Sequence, residues 1–238
     1  MTREIAIKSI KDTRFAKNIY SLITASYRKE LIEFTIYETV DCISIIESSI
    51  KFGEFYCLFF NGEIVGFIQV KSLDDCLFLN HIVVAENYKG CGYGENLLGF
   101  YESLVRASGG VARLTVDSRN ARALSWYIDS GYKELSRNFN FEFIGPADSN
   151  WSEVIEIDSS ELDRTIGYAD FIINGISFKL GLPSSLSAVL YLDKLPFNLI
   201  PKLKSAIRNR KLLCQTAKID YVEGKKSWDT ILLEKFID

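Results

Sequence analysis

The stretch NYKGCGYGENLL, residues 87–98, places three glycines at every second position, Gly90, Gly92 and Gly94. It follows an apolar run typical of a strand and precedes a leucine-bearing segment with helical spacing. Glycines at this density destabilise a chain unless its backbone must turn sharply or let a ligand approach closely. A strand, a glycine-rich turn and a helix N-terminus favour an anion, because free N–H groups and the helix dipole attract negative charge. Lys89 adds a positive charge, so we expect a phosphate-bearing ligand here.

The spacing of these glycines excludes the two commonest nucleotide-binding motifs. The dinucleotide fingerprint requires G-x-G-x-x-G and an acidic residue ending a later strand. This chain has G-x-G-x-G instead, and no acidic residue fits that position well. The P-loop string G-x-x-x-x-G-K-[ST] occurs nowhere in the sequence. The phosphate ligand is therefore expected to be of another kind.

The overall composition is that of a globular protein. Its 238 residues suffice for a well-buried core, and 47% hydrophobic with 25% charged residues is ordinary. The apolar runs are too short to span a bilayer, and we expect no secretory signal. The net charge is −3 without a concentrated basic segment, which argues against nucleic-acid binding.

The cysteine and histidine content bears on location and chemistry. The chain has five cysteines, without a CxxC pair, and one histidine, His81. Widely spaced cysteines in odd number predict reduced thiols and a cytoplasmic location. A single histidine argues against a metal site. Cys91 lies in the glycine loop without an implied partner histidine, so we expect a small loop residue and not a nucleophile.

Two regions of the chain differ in their pattern. Residues 1–147 alternate predicted elements in the order β-α-α-β-β-β-α-β-α-β, with a hairpin around Asn61-Gly62, which indicates a mixed α/β fold. All four prolines lie after residue 145, and turn residues follow residue 144. These features predict a domain boundary after residue 147. Short strands and one helix in residues 148–238 predict a small α+β module of unknown role.

Two motifs resemble those of the GNAT superfamily of acyl-CoA-dependent N-acetyltransferases. Residues 89–94 resemble its R/Q-x-x-G-x-G/A signature, with lysine in place of arginine or glutamine. A second motif of the family, N-x-x-A-x-x-x-Y-x-x-x-G-[FY], is reproduced further along the chain. The resemblance covers roughly residues 77–133 and implies a GNAT-like mixed central sheet flanked by helices over residues 1–147. The second motif consists of Asn120, Ala123, Tyr127, Gly131 and Tyr132.

The resemblance implies acetyl-CoA as co-substrate, and no metal. The pyrophosphate of coenzyme A would lie on the backbone amides of residues 90–95, and its pantetheine arm along residues 82–84. Asn120 would contact the cofactor, with capping of its own helix as the alternative. Tyr127 would act as a general acid toward the leaving thiolate, since a phenol stays protonated at neutral pH. The implied coenzyme contacts are Ile82, Val83, Val84, Lys89, Gly90, Cys91, Gly92, Tyr93, Gly94, Glu95, Asn120 and Tyr127.

The general base departs from the family pattern. Many relatives carry a glutamate on the fourth strand where this chain has Asn80. An amide accepts no proton at neutral pH, although it can orient a water or the amine. The neighbouring His81 titrates in the right range, but adjacent strand residues point to opposite faces, so a packing histidine is the alternative. Other carboxylates could act through water, and the base stays open. These carboxylates are Asp74, Asp75, Glu33 and Glu38.

The sequence thus predicts an N-acyltransferase that moves an acetyl group from acetyl-CoA to a primary amine by direct attack in a ternary complex. The absence of the glutamate at Asn80 supports an alternative, a non-catalytic acyl-CoA-binding or sensing module with the same fold. A longer acyl donor is a further option. The acceptor, a small molecule or a protein amine, is not identified by the sequence, and a homodimer is compatible with it.

Overall fold

Helices and strands follow one another along most of the chain in the computed structural model. The described residues are 5–27, 32, 35–38, 42–143, 156–157, 168–173, 176–181, 187–191, 200–206, 211–217 and 225–237. Their helices are α1 (Ala16–Ser26), α2 (Cys42–Phe52), α3 (Tyr93–Ser108), α4 (Ala121–Asp129) and α5 (Ile200–Ala206). Their strands are β1 (Ile5–Ser9), β2 (Phe55–Phe60), β3 (Glu63–Leu73), β4 (Cys76–Val84), β5 (Val111–Asp117), β6 (Lys133–Glu142), β7 (Glu156–Ile157), β8 (Tyr168–Ile173), β9 (Ile176–Gly181), β10 (Ser187–Tyr191), β11 (Lys211–Thr216) and β12 (Lys225–Phe236). No helix in these ranges is long and apolar enough to cross a membrane.

The described strands form one mixed sheet in the order β1-β2-β3-β4-β5-β12-β6-β11-β10-β9-β8-β7. Most neighbours are antiparallel, whereas β4 runs parallel to β5 and β10 runs parallel to β11. The elements from β1 to β6 follow in the order that the sequence predicts. The mixed α/β class, with a central sheet flanked by helices, is therefore confirmed.

The last strand returns to the middle of the sheet. β12 lies between β5 and β6 and is antiparallel to both. Its Ile231 and Leu233 are fully buried, which explains why this apolar strand packs inside the sheet. The predicted boundary after residue 147 lies outside the described residues and stays a prediction.

Helices cover both faces of the sheet. On one face, Leu97, Tyr101 and Val105 of α3 form the predicted helical stripe and pack with Leu114 of β5. On the other face, α1 and α2 pack their buried isoleucines against β2 and β3. Burial of each such side chain stabilises the fold by about 1.5–3 kcal/mol. The isoleucines are Ile19, Ile23, Ile46 and Ile50.

α3 lies very close to the sheet where its N-terminus meets β3 and β4. A Cβ on Gly66 of β3 would lie 2.8 Å from the Val83 carbonyl oxygen and 3.2 Å from Leu97 Cδ1. Since Gly66 has no side chain, the first turns of α3 can lie directly over the end of β4. This contact positions the helix N-terminus at the site described below.

β4 and β5 separate partway along their length. Their pairing runs only from Leu77–Ala112 to Leu79–Leu114, although β4 continues to Val84 and β5 to Asp117. The β5-facing edge of β4 beyond Leu79 therefore has no pairing with β5. Parallel strands that diverge in this way leave main-chain donors and acceptors open to a ligand.

Candidate active site

The loop between β4 and α3 passes twice through left-handed backbone. Gly90 has φ +75° and Gly92 has φ +80°. A Cβ added to either residue would meet nothing within 4 Å. Glycine is therefore favoured at these two positions by the left-handed backbone conformation, and not by crowding around a Cβ. Another L residue in this conformation costs about 1–2 kcal/mol.

α3 begins at the end of this loop without a side-chain cap. Gly92 is the N-cap residue. The Asn96 N–H donates to the Gly92 carbonyl at 3.1 Å, so the N–H groups of residues 93–95 precede the hydrogen-bond ladder of the helix. N–H groups without a helical acceptor, together with the positive end of the helix dipole, form an anion site.

A cleft of about 390 Å³ lies beside this helix N-terminus, between the end of β4, the glycine loop and α4. Most of the coenzyme contacts predicted from the sequence line it, although they come from three separate elements. They are Ile82, Val83, Val84, Lys89, Gly90, Gly92, Gly94, Glu95 and Asn120.

Three residues of the predicted set, Cys91, Tyr93 and Tyr127, are not in the wall of this cleft, and Tyr127 lines the second cleft described below. The Cys91 side chain is exposed, and none of the five cysteines is in a disulfide. Tyr93 is buried, and its ring centroid lies 6.1 Å from those of Phe60 and Tyr88. Tyr93 therefore anchors α3 through its side chain, and only its backbone can contact a ligand.

Two cations line the cleft, Lys89 and Arg122. Lys89 Nζ is hydrogen-bonded to Oε2 of Glu86, whose side chain is 80% exposed. No partner for the Arg122 guanidinium is found within the described ranges. Arg122 was not among the contacts predicted from the sequence, although a cation in the first turn of α4 opposes the helix dipole and could have indicated a function. Ser26, Tyr88 and Trp126 of the wall were also missed.

Asn120 is the N-cap of α4. Its Oδ1 accepts a hydrogen bond from the Ala123 N–H at 3.2 Å. The capping interpretation is thus confirmed by the geometry. Asn120 also lines the cleft, so its remaining donors can reach a ligand, and contact with a cofactor stays a prediction.

A wider cleft of about 580 Å³ overlaps the first and shares eight wall residues with it, among them Ile82, Asn120 and Arg122. Tyr127 lines the wider cleft, with 6% of its surface exposed. Burial raises the pKa of its phenol, so Tyr127 is protonated at neutral pH. No hydrogen-bond partner for Tyr127 Oη is found in the described part of the chain. The phenol can therefore donate to a bound molecule.

His81 also lines the wider cleft, but both of its ring nitrogens are occupied. The Tyr27 hydroxyl lies 2.5 Å from Nδ1, and the Tyr37 hydroxyl lies 2.5 Å from Nε2. Burial, and to a lesser extent the charge of Lys71, lowers the pKa of His81 to about 3. The ring is therefore neutral, with one nitrogen donating to one tyrosine and the other accepting from the second.

A β-bulge at Asn80 changes the directions of the side chains on β4. The register moves from Val70–Leu79 to Gln69–His81, which leaves Asn80 as the additional residue. Asn80 Nδ2 donates to Gln69 Oε1 at 2.8 Å. Both Asn80 and His81 line the wider cleft. Asn80 thus bonds the side chain of Gln69, the residue that pairs with His81 across the two strands. The expectation that these neighbours point to opposite faces is therefore wrong, because the bulge interrupts the alternation at Asn80.

The other carboxylates considered as bases lie elsewhere. Asp75 is paired with Arg113 at 2.6 Å. Asp74, Asp75 and Glu38 line neither cleft, and Glu33 lies outside the described residues. Within the described ranges, no group of three or more His, Cys, Asp or Glu side chains could hold a metal ion.

The comparison with protein families gives one match. Residues 17–132 match the model of the acetyltransferase (GNAT) family. This range includes β4, the glycine loop, α3 and α4, and with them both clefts. No curated protein sequence matches the chain.

Solved structures resemble the chain over almost its whole length. A candidate acetyltransferase from Pyrococcus horikoshii superposes with a TM-score of 0.70 at 10% identity, covering 98% of this chain and 90% of its own. A GCN5-related N-acetyltransferase from Sphaerobacter thermophilus gives 0.65 at 11% identity, covering 98% and 96%. A candidate acetyltransferase from Thermoplasma acidophilum gives 0.64 at 14% identity, covering 98% and 99%. At these identities the likeness shows a common fold.

Proposed function

Residues 17–132 belong to the acetyltransferase (GNAT) family by their match to its model, and we propose that the chain transfers an acetyl group from acetyl-CoA to a primary amine. The amine attacks directly, within a ternary complex. One observation carries the proposal. The uncapped N-terminus of α3 opens into one cleft, and that cleft adjoins a second one that holds a protonated phenol.

The first cleft fits the diphosphate of coenzyme A. The N–H groups of residues 93–95 offer donors, the left-handed glycines leave open space, and Arg122 contributes a charge without a partner among the described residues. The exposed Lys89–Glu86 pair is worth at most about 1 kcal/mol, so Lys89 can exchange this carboxylate for a phosphate.

The open edge of β4 fits the pantetheine arm. Residues 82–84 line the first cleft, on the part of β4 that has no pairing with β5. An extended arm with amide groups can hydrogen-bond to such an edge as an added strand would. The arm would then run toward the wider cleft and Tyr127.

Acetyl-CoA supplies an activated thioester carbonyl. The residues of the chain supply the proton chemistry around it. Tyr127 is protonated and can donate to the leaving thiolate. Over the whole reaction the amine loses one proton and the thiolate gains one, so water or the amine can return a proton to Tyr127. No external oxidant, reductant or metal takes part in this balance.

A second candidate function is binding or sensing of acyl-CoA without transfer. It is favoured by one observation, that His81, the ionisable residue next to Asn80 in the sequence, is neutral. His81 has its pKa lowered to about 3, and both of its nitrogens are bonded to tyrosines. The wider cleft therefore has no evident general base in its described wall apart from the Asp117 carboxylate, which is paired with Arg119.

The test measures binding and thiol release on the same protein. Calorimetry with CoA and acetyl-CoA gives the affinity, and a thiol reagent follows release of free CoA with a panel of lysine, spermidine, glucosamine and an alanyl peptide. Binding with amine-dependent release supports the transferase. Binding without release supports the sensor, and no binding contradicts both functions.

A further inference from the structure

A chain of hydrogen bonds connects Glu54 to the wider cleft, and its first residue is held firmly by the backbone. Gly53, with φ +82°, ends α2 and turns the chain into β2. The Glu54 N–H donates to the Ser49 carbonyl at 3.1 Å, and its carbonyl accepts from the Val70 N–H at 2.8 Å. The Glu54 side chain therefore extends from a fixed point at the start of β2.

From Glu54, the hydrogen bonds continue through the amide groups of two side chains. Gln69 Nε2 donates to Glu54 Oε2 at 2.7 Å, and Asn80 Nδ2 donates to Gln69 Oε1 at 2.8 Å. Gln69 is 4% exposed, so its amide has little access to water and depends on these two partners.

The direction of every bond in this chain follows from its first residue. A carboxylate accepts hydrogen bonds and donates none, so Gln69 must turn its NH₂ group toward Glu54. The Gln69 carbonyl then faces Asn80, which must turn its own NH₂ group toward Gln69. The remaining polar atom of Asn80 is Oδ1, an acceptor.

Asn80 lines the wider cleft, and no donor to its Oδ1 is found among the described residues. The β-bulge gives Asn80 this position, since an unbulged strand would not place Asn80 and His81 on one face. Because the two ring nitrogens of His81 are occupied, Asn80 Oδ1 is the acceptor beside them that is open to a ligand.

We propose that Glu54 is a positioning residue which acts through Gln69 to hold Asn80 Oδ1 toward the wider cleft, where this oxygen accepts a hydrogen bond from the amine. The inference rests on the transferase function proposed above. Asn80 takes no proton. It fixes one N–H of the amine and thereby the direction of the nitrogen lone pair, which must point at the acyl carbon.

The row of hydrogen bonds from Glu54 to Asn80 can be tested by reversing the donor-to-acceptor direction of each bond. In E54Q the first residue can present either end of its amide, so the orientation of Asn80 is no longer enforced. In N80D the two ends are both carboxylates, and Gln69 must turn its carbonyl toward one of them. In the double variant E54Q/N80D, the amide introduced at position 54 can donate to the Gln69 carbonyl. The Gln69 NH₂ group can then donate to the carboxylate introduced at position 80, so every bond is satisfied in the reverse direction.

Steady-state kinetics is measured for the wild type, the three variants and E63Q, which removes an exposed carboxylate at the β2–β3 turn. We expect E54Q and N80D to raise KM for the amine about five- to tenfold, as loss of one hydrogen bond would. The double variant should return within about twofold of the wild type, and KM for acetyl-CoA should be unchanged throughout. A purely structural role would change both KM values and would show no rescue, which would overturn the proposal.

Side-chain ¹H–¹⁵N NMR gives a readout that needs no turnover. The Asn80 NH₂ group should be protected from exchange in the wild type, and E54Q should broaden its signals and speed their exchange. Unchanged Asn80 signals in E54Q contradict the positioning role even if the wild type is inactive. Signals that are protected in the wild type and broadened in E54Q, without thiol release by the wild type, would support the orientation by Glu54 and contradict the proposed function.

Discussion

Substitution of Gly92 by alanine separates the strain of the glycine loop from its role in binding. Gly92 has φ +80°, and an added Cβ would meet nothing within 4 Å. The new methyl group therefore causes no clash, and the cost lies in the left-handed backbone alone, about 1–2 kcal/mol. For a chain of this length, such a loss lowers Tm by roughly 2–8 °C.

The hairpin between β2 and β3 supplies a matched control. Gly62 has φ +87° and likewise nothing within 4 Å of an added Cβ, but it lies outside both clefts. G62A and G92A should therefore destabilise the chain by similar amounts. Only G92A should disturb the N–H groups at the start of α3. Loss of one hydrogen bond to a charged phosphate, about 1.5–3 kcal/mol, weakens CoA binding by roughly 10- to 150-fold.

The assay combines thermal unfolding with calorimetric titration of CoA at fixed salt. Equal losses of stability, with weaker CoA binding in G92A alone, support the assignment of the helix N-terminus as the diphosphate site. If G92A binds CoA as the wild type does while its Tm falls, the N–H groups of residues 93–95 do not hold the diphosphate. Equal loss of affinity in G62A would point to a general effect of instability.

Three further changes have expected outcomes. Y127F should lower kcat by about 10²-fold or more with little change in CoA affinity, and Y132F, a buried phenol outside both clefts, should leave the rate unchanged. R122Q should weaken CoA binding about tenfold and reduce its salt dependence, whereas R106Q, on the exposed C-terminal turn of α3, should do neither. The free energy of unfolding should fall as the pH is lowered from 6.5 to 4, and this fall should be smaller in H81Q than in the wild type. The two slopes should differ by at most about 1.4 kcal/mol per pH unit. His81 is neutral in the fold and protonates on unfolding, so its contribution is complete above pH 6.5 and is lost toward pH 3; equal slopes would contradict its burial.

The local features of the glycine loop were predictable from the sequence because they depend on neighbouring residues. The density of glycines predicted a sharp turn or a close approach, and Gly90 and Gly92 have the left-handed backbone of such a turn. The stripe from Leu97 to Val105 shows its helical period. The Asn61-Gly62 turn likewise has positive φ at both residues.

Features that depend on contacts distant in sequence were not predictable. The bulge at Asn80 is a property of the register between β4 and β3, and no alternation within β4 alone reveals it. The role of Gln69 depends on Glu54 fifteen residues earlier, which lies beside it only after β2 and β3 pair. The pairing of β12 with β5 joins residues more than a hundred positions apart.

Arg122 was missed for a related reason. Its position in the first turn of α4 is unusual for a cation, but its place in the cleft results from the packing of α4 beside the glycine loop. The stabilising partners of His81, Tyr27 and Tyr37, come from a segment with weak periodicity. The sequence therefore predicted the cofactor loop more completely than the wall of the wider cleft.

Transfer of a labelled acetyl group is the direct test of whether this chain is an amine acetyltransferase. The wild type, Y127F and Y132F are incubated with acetyl-CoA carrying ¹³C in the acetyl group and with the amine panel, and the products are analysed by mass spectrometry. We expect an amine bearing one labelled acetyl group on nitrogen, formed by the wild type and Y132F and strongly reduced with Y127F. Tight binding of acetyl-CoA with no labelled amine in any reaction would contradict the transferase and favour the sensor.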